Sequence, residues 1–401
     1  MGDSTGAGRI RDALRGLARP PELKTDEERS ASKLELFFDL AFVLVVAELA
    51  IALREEVTVR GELLFAGMFT LVWWSWVSST LYANRFDHDD VVYRLLKLTS
   101  MAAVIGLAAS ATEATGERFG VFVGCQILLR LSLLLQYRRA YQHIAHARPI
   151  ARLYLVGAGV GALLWTVSLF VPRPVGFALW AAAVLVEALV PLVATRHSAD
   201  VPLHVEHLPE RFALFVILVL GESVAGIAHG LYDAKWAPSA VAVAVLAFVL
   251  AAALWWSYFD LAGARAKRLL NVVGGDRSDR AHDVYVFGQL PLTLALATVG
   301  AAVELAVVQS GAGEVPAGTR LLLAGGVALY LVSMSITDGG MSQDARRGWW
   351  WPLAAAVLAG LDAVLELPAF VVVGALAALL VAVVVVGAVE RSSGRMDVDP
   401  V

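Results

Sequence analysis

The chain contains 401 residues, of which 58% are hydrophobic and only 17% are charged, and its formal net charge is −4. This composition excludes an ordinary soluble domain, in which about a quarter of the residues are charged. The net charge is negative, so nothing in the composition suggests a partner nucleic acid. Cys125 is the only cysteine, so an intrachain disulfide is excluded as well. We therefore predict an all-α integral membrane protein.

The chain opens with an Arg-rich polar segment, residues 1–33, which lacks the short apolar core of a cleavable signal peptide. Apolar blocks of about 18–25 residues, the length that crosses a bilayer, follow it. Breaks rich in charge, Gly or Pro separate these blocks, and we predict a polytopic bundle of about twelve transmembrane helices. The predicted spans are 35–53, 61–83, 92–112, 118–137, 151–171, 175–195, 210–230, 237–262, 284–309, 318–337, 349–365 and 368–390.

The basic residues predict the orientation of the bundle. If the N-terminal tail is cytoplasmic, 25 of the 32 lysines and arginines fall in tails and loops on the cytoplasmic side. Such an excess follows the positive-inside rule of multi-pass membrane proteins. We expect both termini in the cytoplasm, with residues 392–401 as the second tail.

The two halves of the chain carry similar motifs in the same order. Glu48 in the first span corresponds to Glu222 in the seventh, and Trp73-Trp74-Ser75 in the second span matches Trp255-Trp256-Ser257 in the eighth. We interpret this order as a duplication, and repeats with an even number of helices are parallel. The predicted six-helix repeats are residues 34–200 and 201–391.

The first span carries three carboxylates within an apolar run. Glu35 and Asp39 are four residues apart and share one face near the cytoplasmic end, where Glu35 has the alternative role of an interfacial acid at a helix N-terminus. Glu48 lies on nearly the opposite face, about 13 Å further along the axis. Because an acid costs on the order of 2.5–3.5 kcal/mol at the centre of a membrane helix, we expect Asp39 to have a cation, an Arg, water or a proton as its partner.

A second acidic motif lies in the seventh span. We predict that Glu222 and Glu48 lie at similar depth, where two carboxylates can bind a cation or share a proton. The alternative is that each acid is neutral and hydrogen-bonded to a neighbouring helix. Ser223 adds a hydroxyl beside Glu222, and His229 lies near the same face, either in a proton relay or in solvent.

Trp residues in the middle of a span are unusual because membrane Trp concentrates at the interfaces. We predict that the two Trp-Trp-Ser motifs line a cavity, with helix packing and hydroxyl hydrogen bonds as the alternative. The candidate lining residues are Trp73, Trp74, Ser75, Trp255, Trp256 and Ser257.

The segments ELFFDLAFV at 35–43 and ERFALFVILVLGES at 210–223 resemble the bacterial low temperature requirement A (LtrA) family, over about residues 30–390. The resemblance implies a multi-pass protein of the bacterial inner membrane and implies no reaction, ligand or catalytic residue. A fainter similarity connects Phe37-Phe38-Asp39 to the Phe-Ser-Asp motif of endolysosomal potassium channels with two six-helix repeats. The Ser is missing here, and Leu214 stands nearest the matching position of the second half.

We expect a transporter that uses a proton or cation at Asp39, Glu48 and Glu222, with membrane lipid and a small ion or molecule as its partners. An ion channel is the first alternative. A membrane-embedded enzyme or lipid-handling protein in cold adaptation is the second, and it would need a cluster of His, Asp and Glu side chains on the cytoplasmic face, for example around His88, Asp89 and His282. The chain has no Walker loop, dinucleotide fingerprint or nucleophile elbow, so we predict no cofactor, metal or catalytic residue.

Overall fold

A computed structural model describes residues 20–23, 32–87, 90–195, 207–263, 276–341 and 350–392. Twelve α-helices occupy most of these residues and confirm the predicted helical membrane bundle. Two-residue strands β1 (Glu22–Leu23) and β2 (Phe86–Asp87) pair antiparallel. The helices are α1 (Lys33–Glu55), α2 (Val59–Arg85), α3 (Val91–Ser110), α4 (Phe119–His143), α5 (Arg148–Val167), α6 (Arg173–Thr195), α7 (His207–Asp233), α8 (Pro238–Trp256), α9 (Asp276–Val308), α10 (Ala317–Met341), α11 (Trp350–Asp362) and α12 (Ala369–Ser392).

Eleven of the helices in the described ranges are long and apolar enough to cross a membrane. The remaining helix, α11, has 13 residues. At 1.5 Å per residue its length is roughly 20 Å, short of the ~30 Å hydrocarbon core of a bilayer. The eleventh predicted span, 349–365, therefore contains an apolar helix, but this helix is too short to cross by itself.

The chain forms two compact units. The first unit comprises Met1–Val45 and Leu71–Leu208, and the second comprises Val46–Thr70 and Pro209–Val401. The boundary at Leu208 lies close to the predicted start of the second repeat. The end of α1 and the beginning of α2, however, group with the second half of the chain. The duplication itself stays a prediction.

In the first unit, α3 to α6 pack in sequence, each against the next. Aromatic rings fill the interior between α2, α4 and α5. The rings of Tyr137 and Tyr154 stack with their centroids 4.7 Å apart, and Tyr82 meets Tyr137 edge-on at 4.8 Å. Offset and edge-on pairs of this kind contribute about 0.5–1.5 kcal/mol beyond the area they bury, so they help to hold the spans in register.

In the second unit, a seam of glycines brings α7 against α9. A Cβ atom at Gly230 would lie 2.8 Å from Cβ of Val307, and one at Gly226 would lie 3.0 Å from the carbonyl oxygen of Gly300. Gly226 and Gly230 are four residues apart, the spacing that lets membrane helices approach closely. The close approach places Glu222 of α7 beside α9, because a Cβ on Gly300 would meet the Glu222 side chain at 3.2 Å.

This seam predicts a contrast between two glycines of α7. We expect Gly230→Ala to destabilise the protein by about 1–3 kcal/mol, the usual cost of overpacking. Gly221→Ala is the matched control, since a Cβ there meets nothing within 4 Å. Reversible denaturation in detergent, followed by circular dichroism, measures both changes. Equal effects of the two substitutions would contradict the seam.

Candidate functional site

Asp39 lies inside the first unit, and only 1% of it is exposed. The indole Nε1 of Trp76 in α2 donates a 2.8 Å hydrogen bond to its Oδ1 atom. The ammonium nitrogen of Lys97, in α3, lies 4.3 Å from the ring centroid of the adjacent Phe38. Lys97 also donates to the hydroxyl of Ser79. Asp39 is thus held by a hydrogen-bond donor from the neighbouring helix.

A buried ion pair joins α4 to α6 in the same unit. Arg130 binds Glu187 through two parallel hydrogen bonds, Nε to Oε1 at 2.9 Å and Nη2 to Oε2 at 3.1 Å. The two side chains are only 3% and 7% exposed. This fork geometry is the strongest form of a carboxylate–guanidinium contact. It lets both charges lie in a span that excludes bulk water.

The pair borders a small polar cavity, which we call the serine cavity. Its volume is about 20 Å³, which is enough for one water molecule. A neighbouring cavity of about 10 Å³ shares Ser78, Leu133 and Glu187 with it. The polar side chains that line the serine cavity are Ser75, Ser78, Ser79, Ser100, Arg130, Gln136 and Glu187.

The second unit holds a different charge cluster, which we call the Arg54 cluster. Arg54, in the last turn of α1, contacts Glu222 of α7 at 3.1 Å and Glu304 of α9 at 3.2 Å. His229 lies 3.8 Å from the other oxygen of Glu304, and its side chain is 69% exposed. The guanidinium of Arg54 therefore pairs with two carboxylates, and the exposed imidazole of His229 lies beside one of them.

The other predicted site residues, Glu48, Glu35 and Ser223, do not lie together. Glu48 is half-buried in the second unit and makes no hydrogen bond or ion pair within the described ranges. Its predicted counterpart, Glu222, contacts Arg54 instead. Glu35 caps α1, because its backbone N–H donates to Ser32 and its carboxylate accepts from the N–H of Ser32. This reciprocal arrangement is a capping box. Ser223 is fully buried beside the α7–α9 seam.

The two Trp-Trp-Ser motifs have different surroundings. Trp73 and Trp74 are buried, Ser75 lines the serine cavity, and Trp74 lines the neighbouring cavity. Trp255 and Trp256, in contrast, are 47% and 53% exposed on the surface of the second unit. Ser257 is buried beside them, where its hydroxyl lies 2.8 Å from that of Tyr330.

Of the three residues suggested for an enzyme site, His88 and Asp89 lie outside the described residues and His282 is buried. Within the described ranges, no group of three or more His, Cys, Asp or Glu side chains forms a metal site.

Sequence reasoning missed the cations that organise both units. The first predicted span, 35–53, ends just before Arg54, and Arg130 lies within the fourth predicted span, 118–137. Glu187 and Glu304 likewise lie within predicted spans, 175–195 and 284–309, where nothing in the sequence identifies their partners. An arginine inside a span is itself a signal, because a charge there requires a partner.

This chain is similar to known proteins over most of its length. Residues 30–385 match the model of a family described as bacterial low temperature requirement A protein (LtrA). An uncharacterized protein of Rhizobium meliloti (strain 1021) is 27% identical over 283 residues, which cover 66% of this chain and 67% of that protein. Its description states no activity.

The buried pair predicts a strong and unequal response to substitution. We expect Arg130→Met to cost about 3–5 kcal/mol, because it leaves the Glu187 carboxylate buried without its cation. Arg130→Met combined with Glu187→Met should recover most of that loss. Arg118→Met is the matched control, since Arg118 and Glu113 form an exposed pair that is worth about 0–1 kcal/mol. Denaturation in detergent measures all three, and additive losses in the double variant would contradict the prediction.

Proposed function

The chain belongs to the bacterial low temperature requirement A family, and we propose that it is a proton-linked transporter of the inner membrane. We place both termini in the cytoplasm, following the distribution of basic residues. Buried ionisable side chains support a transport role, because membrane spans rarely keep them without a function.

The observation that carries the proposal is the unequal charge of the Arg54 cluster. Glu222 and Glu304 both contact Arg54, so the ionised cluster has one negative charge in excess. A net charge within a membrane span is costly, and two carboxylates on one guanidinium also repel each other. One proton neutralises the cluster. The exposed His229 beside Glu304 offers that proton a route from solvent.

The cavities of the first unit favour a transporter over an open channel. The serine cavity and its neighbour each have room for about one water molecule, at about 20 and 10 Å³. A conducting pore needs a continuous row of such sites, whereas alternating access needs only a local site that opens in turn to each side. We assign Asp39 to the same polar region, beside Phe38.

The transport proposal predicts a loss of proton coupling in Glu222→Gln. Proteoliposomes with an inward proton gradient are mixed with the low-molecular-weight fraction of a bacterial cell extract, and mass spectrometry identifies the solutes that accumulate inside. We expect accumulation that a protonophore abolishes. Glu222→Gln should lower it to the level of protein-free liposomes, because glutamine keeps a bond to Arg54 but takes up no proton.

Glu113→Gln is the matched control for this experiment, because Glu113 is an exposed carboxylate that also pairs with an arginine. It should accumulate the same solutes as the wild type. Accumulation that persists in Glu222→Gln, or that ignores the protonophore, would refute the role of the cluster. Currents in planar bilayers without a proton gradient would support the channel instead.

Lipid handling is a second candidate, favoured by a groove in the second unit. A cavity of about 290 Å³ lies between α1, α2, α9 and α10, and all of its lining residues except Glu62 and Thr298 are apolar or glycine. Leu63 and Leu321 of its wall are exposed. An apolar groove on membrane-spanning helices suits an acyl chain, and Glu62 suits the amine of a headgroup.

The groove predicts that Gly325→Leu reduces the lipid that copurifies with the protein. Gly325 lines the groove, and a side chain built there meets open space. We expect native mass spectrometry to detect less bound phosphatidylethanolamine for this variant. Gly120→Leu, at an equally open position of α4, should leave bound lipid unchanged. Identical lipid content in both variants would contradict the proposal.

A further inference from the structure

Arg130 is held in place by more than its carboxylate partner. Its Nη1 group donates to the side-chain and backbone oxygens of Gln126 and to the hydroxyl of Ser75, 3.2 Å away. Its guanidinium carbon lies 5.1 Å from the ring centroid of Trp165. These contacts fix one edge of the guanidinium and leave the other edge for Glu187. The binding edge therefore keeps its direction when the carboxylate leaves.

Glu187 is the movable member of the pair. It borders both the serine cavity and the neighbouring cavity, so free space lies on two sides of it. Its position depends on Gly161 of α5, since a Cβ atom there would overlap its carboxylate. Each cavity now holds no more than about one water molecule. A ligand larger than water would need the Glu187 carboxylate to turn away from Arg130.

Two further groups of the serine cavity have unused hydrogen-bonding capacity. Gln136 is 2% exposed, and its Oε1 atom has no hydrogen-bond partner within the described ranges. The hydroxyl of Ser78 makes no hydrogen bond to any described residue, although it lines both cavities. A buried oxygen without a donor costs about 1–3 kcal/mol. A ligand that brings a donor group removes this cost.

We propose that Arg130 recognises the carboxylate of a small transported acid, and that Glu187 occupies its place when the site is empty. The hydroxyl or ammonium group of the ligand donates to Gln136 and Ser78. The substrate class is thus a small carboxylic acid with one hydrogen-bond donor, such as a hydroxy acid or an amino acid. This inference rests on the proposed transport function and names its substrate class.

Charge balance connects this binding to a proton. A hydroxy acid brings one net negative charge to Arg130, and one proton binds to the displaced Glu187, so the formal charge of the site is unchanged. A zwitterionic amino acid adds no net charge, so its binding requires no proton. Among the described residues, the other charged or titratable groups around Glu187 are Tyr154 of α5 and Lys97 of α3. Tyr154 borders the neighbouring cavity and accepts a hydrogen bond from Arg85 of α2, and Lys97 donates to Ser79 of the serine cavity. Entry of the anion alone would add an uncompensated charge to the span, which is costly.

Ligand-induced thermal stabilisation tests the substrate class on the purified full-length protein in nanodiscs. The probes are the sodium salts of lactate and propionate, the zwitterion L-alanine, and sodium chloride. We expect lactate or L-alanine to raise the melting temperature in a saturable manner. Propionate, which lacks the donor group, should bind more weakly, and chloride should have no effect. Equal effects of lactate, propionate and chloride would overturn the assignment.

Glu187→Gln tests the exchange itself. It removes the competing charge but keeps one oxygen for Arg130, so the affinity for the stabilising probe should rise on the order of tenfold. In the wild type the affinity for lactate should increase by up to about tenfold per unit fall in pH, and the variant should lose this dependence. A purely structural ion pair predicts lower stability with unchanged affinity, and that result would overturn the proposal.

Ser78→Ala gives a second test without disturbing the ion pair. Because Ser78 makes no hydrogen bond to any described residue, the variant should fold normally, and its affinity for the stabilising probe should fall toward that for propionate. Unchanged affinity would remove Ser78 from the site. If the probes bind but no solute accumulates with the proton gradient, the carboxylate site at Arg130 is supported and the transport proposal is refuted. If other solutes accumulate but the probes do not bind, the transport proposal survives and the carboxylate site is refuted.

Discussion

The need to compensate each buried charge within the membrane spans governs this structure. An ion loses most of its hydration free energy in an apolar bundle, and a nearby counter-charge with good geometry must replace it. Arg130 and Glu187 meet that need through two parallel hydrogen bonds in the first unit. Arg54 meets it for two carboxylates at once in the second. The packing around both arginines follows from these contacts.

Small residues make these contacts sterically feasible. Gly161 leaves space on α5 for the Glu187 carboxylate, and the glycines of the α7–α9 seam let Glu222 lie against Gly300. Without a side chain at these points, two helices approach closely enough for a carboxylate to reach a cation on a third helix. The glycines and the acids therefore depend on each other, because a Cβ atom at one of these glycines would push the neighbouring carboxylate away from its arginine.

The two charge clusters differ in a way that suits different tasks. The Arg130–Glu187 pair is neutral and borders two water-sized cavities. In the proposed exchange, an incoming acid takes the place of Glu187 at Arg130, and the charge is conserved because Glu187 binds a proton. The Arg54 cluster has one carboxylate more than it has arginines and stands beside an exposed imidazole. An excess carboxylate is suited to proton binding, whereas a matched pair is suited to ligand exchange.

The sequence by itself determined the spans, the family and the presence of costly acids in the first helix. Span length follows from local composition, because about 20 apolar residues must cross the hydrocarbon core, and the capping role of Glu35 needs only Ser32, three residues away. Only the tertiary structure decided which charges meet. Trp76 is 37 residues from Asp39, Glu187 is 57 from Arg130, and Glu222 is 168 from Arg54. Such pairs depend on which helix faces pack together. The sequence could not predict them, because hydropathy shows how apolar a segment is and does not show which helix each of its faces contacts.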